Sequence, residues 1–182
     1  KDRNGEPLAV STPVDTVWAD PRKLAQHPQE FARLAKALDR DKNWLARRVT
    51  SNLDREFVYL VRHMRPADAA KVKALGISGV DTLREYRRYY PAGEVTGHLL
   101  GFTNVDDVGQ EGLELAFDQW LGGEPGIKRV MRGREGRTIE DIERIKAPRP
   151  GQDLRTSIDL RVQYLAYRAL KQAVQENSAH GG

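Results

Sequence analysis

The chain contains no cysteine, so disulfide frameworks, thiolate metal sites and cysteine nucleophiles are excluded. Long apolar runs are missing as well. The longest, Phe57-Val58-Tyr59-Leu60-Val61, falls far short of the ~18–20 residues of a membrane span. Aromatics make up only 7% of the 182 residues. Excess charge of one sign is also lacking: 30 basic against 26 acidic residues leave +4, which excludes a histone-like polycation. No signal peptide is visible, because Lys1-Asp2-Arg3-Asn4-Gly5 carries no apolar segment and Lys1 is no initiator methionine. The chain reads as a piece excised from a longer protein. Charged residues, at 31%, are plentiful, yet apolar clusters recur throughout, so a core can form.

The pattern mixes helices and strands without a regular βαβ alternation, which predicts an α+β fold, in two lobes. Asn4-Gly5 predicts a turn that leads through Pro7 to Val10 into a strand, with strand character again at Val14, Val17 and Trp18. Phe31, Leu34, Ala35 and Leu38 share one helical face, and Leu45, Val49 and Leu53 another. Phe57 to Val61 reads as a buried strand. Pro66 opens a helix through Leu75, with Gly76 as its stop. An extended segment follows from Gly79 to Tyr90, then a short helix over Val95 to Leu100 and a turn at Asp106-Asp107-Gly109. Glu111 to Leu121 predicts one helix with Leu113, Ala116, Phe117, Trp120 and Leu121 on its buried stripe. Trp44 and Trp120 are expected against different apolar clusters. Val130 and Ile139 to Ile145 predict a hairpin around Glu135-Gly136, and Leu154 to Ile158 a short strand. Asp159 caps a final helix whose apolar face carries Val162, Leu165, Ala166, Ala169 and Ala173.

Catalytic chemistry is sparse. His27, His63, His98 and His180 lack metal-ligand spacing, so no metal or other cofactor is expected. Glu111 and Glu114 stand one helical turn apart, as a glycosidase pair could, but acids are common at a helix N-terminus. Gly122-Gly123-Glu124-Pro125-Gly126 lacks the Lys-Ser/Thr of a phosphate loop and reads as a helix stop. Residues 128–155 hold nine basic and five acidic residues, the whole net charge of the chain. Arg132, Arg134 and Arg137 in this hairpin are candidates for meeting a partner. A basic module for nucleic acid or anionic lipid is the alternative function they suggest. Arg84, Arg87 and Arg88 interleave with Tyr86, Tyr89 and Tyr90, either as a stacking platform or as a strand with ion-paired arginines and core aromatics.

Long ordered motifs bring a resemblance. Asp2-Arg3-Asn4-Gly5 with Pro7-Leu8-Ala9, the run from Arg87 to Asp106, and Gly109 with Glu111-Gly112-Leu113-Glu114, Phe117-Asp118, Trp120-Leu121 and Pro125-Gly126 resemble successive motifs of class B penicillin-binding proteins. Gly133 to Asp141 and Leu154 to Asp159 continue the match. The chain is most similar to the non-catalytic module of division-specific septal peptidoglycan transpeptidases (FtsI type) of Gram-negative bacteria. The resemblance implies an elongated pedestal over 1–158, often called the dimerisation domain, and a linking helix over 159–182 towards a transpeptidase domain. It implies Arg3, Gly5, Arg88, Tyr90, Pro91, Gly93, Glu94, Gly112, Glu114 and Asp118 as structural motif residues. It further implies partners: a SEDS-class division glycosyltransferase of FtsW type, FtsQLB-type divisome proteins and an FtsN-type activator, with no nucleic acid. The implied location is the periplasmic side of the inner membrane, with the anchor outside this chain.

The family's nucleophile motif, Ser-x-x-Lys, is absent. The five serines are followed at the third position by Val14, Asp54, Asp81, Leu160 and Gly181. There is no Ser-x-Asn and no Lys-Thr-Gly or Lys-Ser-Gly, so no catalytic residue is expected here. The resemblance would also bring Arg88 and Glu114 together as an ion pair, with the guanidinium fork matched to both carboxylate oxygens.

Overall fold

A computed structural model describes residues 1–132 and 138–181, with only the backbone described over 128–132 and 138–144. The chain divides into two compact units. The first joins Lys1–Ser11, Arg88–Ile127 and Lys146–Gly182, and the second joins Thr12–Arg87 and Lys128–Ile145.

The second unit is built on an apolar core. Strands β1 (Val10–Ala19), β2 (Val58–Met64) and β3 (Val80–Tyr89) form a sheet in the order β2-β1-β3. Helices α1 (Pro21–Leu24), α2 (Phe31–Ala37), α3 (Lys42–Thr50) and α4 (Pro66–Ala74) supply the rest. Val17, Ala19 and Leu60 from the sheet meet Leu24, Leu34, Leu45, Val49 and Val72 from the helices, all buried. Each of these valines and leucines contributes ~1.5–3 kcal/mol on burial. Helix starts are fixed locally. Asp20 accepts hydrogen bonds from the Arg22 and Lys23 amides, and Asp41 from those of Asn43 and Trp44 at 2.8 and 3.1 Å. Gly76 follows α4 with φ +64°, the left-handed stop expected there.

The apolar spacing overreached at two edges. Leu53 lies beyond the end of α3 and is exposed, and Phe57 precedes β2 and is exposed too. Phe57 instead stacks on Trp18 with ring centroids 4.9 Å apart. β1 and β2 run antiparallel, pairing Asp15 with Met64 and Val17 with Val61. β2 therefore advances three residues where β1 advances two, a bulge that holds His63 at φ +55°. On this sheet Glu85 accepts from Arg62 Nη2 at 2.8 Å and from the Thr16 hydroxyl, and Arg84 Nε donates to Asp15 at 2.7 Å. The tyrosines of β3 do not enter a core: Tyr86 and Tyr89 are exposed.

In the first unit α5 (Gly97–Leu100), α6 (Gly112–Ala116) and α7 (Asp118–Leu121) are short, and α8 (Leu160–Glu176) is long. The single helix expected over Glu111 to Leu121 breaks at Phe117, whose φ of −119° is not helical. Its apolar stripe is not core either, because Phe117 and Trp120 are exposed while Glu114 is buried. Trp44 packs against the core of the second unit, whereas Trp120 is exposed and its indole N–H reaches the Asp153 carbonyl at 3.5 Å. Residues 154–158 form no strand, although Lys1 N donates to the Leu154 carbonyl and Arg3 N to that of Ile158, both at 2.7 Å. α8 is capped by Asp159 as expected, but Val162 and Leu165 are exposed rather than packed.

A separate two-stranded ribbon pairs β4 (Ile127–Arg132) with β5 (Thr138–Lys146). The expected hairpin tip at Glu135-Gly136, with Arg134 and Arg137, lies outside the described residues. Of Arg132 only the backbone, in β4, is described.

Candidate functional site

The motif residues converge within the first unit, where buried groups are as often polar as apolar. Leu8 and Leu100 are buried there beside Asp2, Thr96 and Glu114. Close backbone approach explains two of the glycines. Gly101, at φ +72°, would set a Cβ onto the Glu111 carbonyl, and at Gly112, φ +58°, a Cβ would stand 2.5 Å from the Leu99 carbonyl oxygen. These contacts press the start of α6 onto the end of α5 and carry Glu114 inward.

Arg88 meets Glu114 there. Its Nε donates to Glu114 Oε1 at 2.8 Å, and the side chains are only 18% and 5% exposed. The pair expected from the sequence motifs is therefore present. Its geometry differs from a two-point fork, because Nη1 of Arg88 donates to the Ser11 hydroxyl at 2.9 Å instead. The guanidinium thus ties α6 to the residues that open β1. A buried pair of this kind adds little net stability, but stranding either charge costs ~3–5 kcal/mol. Fixed by Arg88, Glu114 is no free acid for glycoside cleavage, and Glu111 is exposed at the entry to α6. Tyr90 stands beside this pair. Burial, then the negative charge of Glu114, pushes its phenol up from the ordinary value, so it stays protonated.

Around it, Asp118 accepts from the Gly109 amide at 2.7 Å, which pins the preceding turn to α7. Gly93 adopts φ +50° and donates to the Tyr90 carbonyl at 3.1 Å, closing the turn through Pro91. Glu94 accepts from Lys171 of α8 at 2.8 Å, and that bond, with one from Tyr167, holds the Glu94 carboxyl below its usual range. Arg3 is bonded through its backbone, its carbonyl accepting from Arg155 Nη2 at 2.6 Å. Gly5, at φ +93°, lets the chain turn back on Asp2.

Asp2 stands in the first motif but is not among the structural residues expected from it. Its buried carboxylate accepts from the Asn4 and Glu6 amides at 2.8 Å each and from the Leu160 amide at 3.2 Å. Burial alone would raise its pKa; the amides of Leu160, Glu6 and Asn4 together outweigh that and hold it down. The Asp-x-Asn-Gly pattern, an Asx-type turn, is the signal that could have revealed it. A cleft of about 900 Å³ opens beside Asp2, bounded by Pro91, Val95, Leu160, Tyr164 and Leu165. Among the described residues no helix is long and apolar enough to cross a membrane, and no acidic or histidine cluster suits a metal ion.

This arrangement fixes backbone segments to one another. Residues 1–156 match the family model of the penicillin-binding protein dimerisation domain. A probable peptidoglycan D,D-transpeptidase, PbpC of Pseudomonas aeruginosa, is 46% identical over 181 residues, covering 100% of the chain and 32% of PbpC. The peptidoglycan D,D-transpeptidase FtsI of Escherichia coli is 44% identical over 186 residues, with the same 100% and 32% coverage. The chain thus spans about a third of the length of these relatives. Among solved structures, a complex of penicillin-binding protein PBP2 with MreC from Helicobacter pylori shares the fold at a TM-score of 0.73. Identity is 21%, and the match covers 94% of this chain and 36% of that one.

Proposed function

Because the chain belongs to the penicillin-binding protein dimerisation-domain family, we propose that it is the non-catalytic structural and protein-interaction module of a septal peptidoglycan D,D-transpeptidase. The observation that carries this reading is a match over the whole chain to two transpeptidases in a sequence without Ser-x-x-Lys. On this reading residues 1–158 are the pedestal, and 159–182 lead towards the catalytic domain. The module positions that domain on the periplasmic side of the inner membrane. Arg88, Tyr90, Gly112, Glu114 and Asp118 keep its motif region rigid, and Arg3, Gly5, Pro91, Gly93 and Glu94 shape the turns around them.

Its partners are a SEDS-class glycosyltransferase of FtsW type, FtsQLB-type divisome proteins and an FtsN-type activator. A solved relative in fold is a complex with MreC, which supports partner binding as a use of the module. The test labels two proteins with a fluorescent penicillin: the 182-residue chain and the longer protein that carries it. The longer protein is expected to acylate and the chain alone to remain unlabelled. Covalent label on the chain that survives denaturation overturns the reading. Arg88→Ala in the longer protein is expected to leave acylation intact while lowering septal crosslinking.

A further inference from the structure

From the edge strand of the second unit we infer a docking site for an extended segment of another protein, which adds a strand to β3 beside Val80–Arg87. The inference extends the interaction half of the proposed function. Its test uses the chain alone, so its failure leaves the transpeptidase reading standing.

β3 is the end strand of the order β2-β1-β3. One of its edges is therefore not hydrogen-bonded to another strand of the sheet. Open edges of this kind are usually blunted by charge, proline or bulges. Here most of the charge is already paired, with partners in the sheet or on α4. Glu85 is held by Arg62 and Thr16, Arg84 by Asp15, and Asp81 lies 3.6 Å from Lys73. Besides the paired Asp81 and Arg84, β3 turns to solvent Leu83, 44% exposed, Tyr86, 52% exposed, Tyr89, and Arg87, which has no ion pair among the described residues. No proline interrupts the strand, and no residue in it has positive φ. Backbone groups supply affinity in such an addition, and alternate side chains supply selectivity.

The occupant follows from the side chains. Leu83 and Arg87 share a face of the strand, and Tyr86 points to the other. An antiparallel guest strand reads, from its N-terminus, an acid opposite Arg87, an apolar residue opposite Tyr86, two free positions, and an apolar residue opposite Leu83. A second copy of this chain does not supply that pattern. A two-fold axis through an antiparallel pair matches residues on the same face, so paired numbers have an even sum. Every register centred on residues 83 to 86 then opposes like charges: Asp81 with Glu85, Arg84 with Arg84, Glu85 with Glu85, or Arg84 with Arg88. The edge disfavours itself and accepts an acidic, apolar stranger.

The probe is an acetylated, amidated peptide of threonine, glutamate, valine, threonine, threonine, valine and threonine, added to the 182-residue chain up to ~1 mM. Amide hydrogen exchange is followed by nuclear magnetic resonance, and the protected amides of α3 report folding in the same spectra. Alternate amides between Val80 and Arg87 are expected to slow at least about tenfold, which marks new pairing. A version N-methylated on the pairing edge is expected to give no protection. Arg87→Glu is expected to weaken binding about tenfold, and a lysine for the peptide's glutamate to restore it on that variant. Three results overturn the inference. One is no binding. Another is binding without change in β3. The last is β3 protection that needs no peptide and grows with chain concentration, which makes a second copy the occupant.

Discussion

The two units solve the same problem with opposite materials. In the second, helices α1 to α4 and the sheet share one apolar core, with Leu24, Leu34 and Leu45 fully buried. In the first, the helices other than α8 have five residues or fewer, and the fully buried side chains include Asp2 and Thr96. An apolar core is non-directional and tolerates repacking. A network of buried charges and tight glycines is directional, and it fails when a single partner goes. The motif residues expected from family resemblance fall in the first unit, whereas simple periodicity describes the second.

Several perturbations sharpen or break this contrast. The largest effect is expected from Glu114→Ala or Arg88→Ala, at ~3–5 kcal/mol each, because either strands the other charge. A double-mutant cycle by urea denaturation checks it. Coupling below about 0.5 kcal/mol means that the pair is two independent charges. Next comes Leu45→Ala in the apolar unit, at ~2–5 kcal/mol, with no coupling to Arg88→Ala. Strong coupling between those two would erase the distinction between the units.

Acid gives a third comparison. In the first unit Asp2, Glu94, Asp153 and Asp159 all have carboxyls held below their usual range. For Glu94 and Asp153 the leading cause is a lysine bond, and for Asp159 it is the bond from Arg161. Among the described residues of the second unit only Asp68 does, through Lys71 and Arg65. A depressed folded-state pKa contributes stability above the unfolded value and loses it as pH falls through the folded one. Below about pH 4 the first unit is therefore expected to open before the second. Amide exchange at α6 rising ahead of α3 checks this, and simultaneous loss contradicts it. Asp41→Ala, which removes the α3 cap, is expected to cost ~1 kcal/mol. Leu53→Ala, at an exposed position, is expected to stay within ~0.5 kcal/mol, measurable in the same urea series.

The same contrast decided what could be read from sequence. α2, α3 and α4 were legible because their apolar spacing answers to one buried surface. Pro66 and Gly76 also fix the two ends of α4 by local chemistry alone. The spacing from Leu113 to Leu121 looked equally good, and misled. The face that α6 buries is set by Glu114 and by backbone contacts at Gly101 and Gly112, to which hydrophobic periodicity is blind. α8 misled for a related reason: Val162 and Leu165 of its apolar face are exposed, while polar bonds from Gln163 to the Val95 carbonyl and from Lys171 to Glu94 hold it in this unit. The Arg88 and Glu114 pair was legible only through motif resemblance, because no local rule links residues 26 positions apart. Asp2 left a local trace in its turn pattern.

The division of the chain also sets an order of assembly during synthesis. Residues 12–87 of the second unit are contiguous, so its helices and three-stranded sheet need only local and mid-range contacts once they emerge. The first unit must wait. Lys1 is bonded to Leu154 and Thr156, and Arg3 to Ile158, so its opening segment finds its partners only after residues 154–158 have been made. Such long closures slow folding. Until they form, residues 1–6 lack the partners that hold them in the first unit. A ribosome-bound chain stopped before Asp153 should therefore protect α3 from proteolysis while leaving Lys1 to Glu6 open to it.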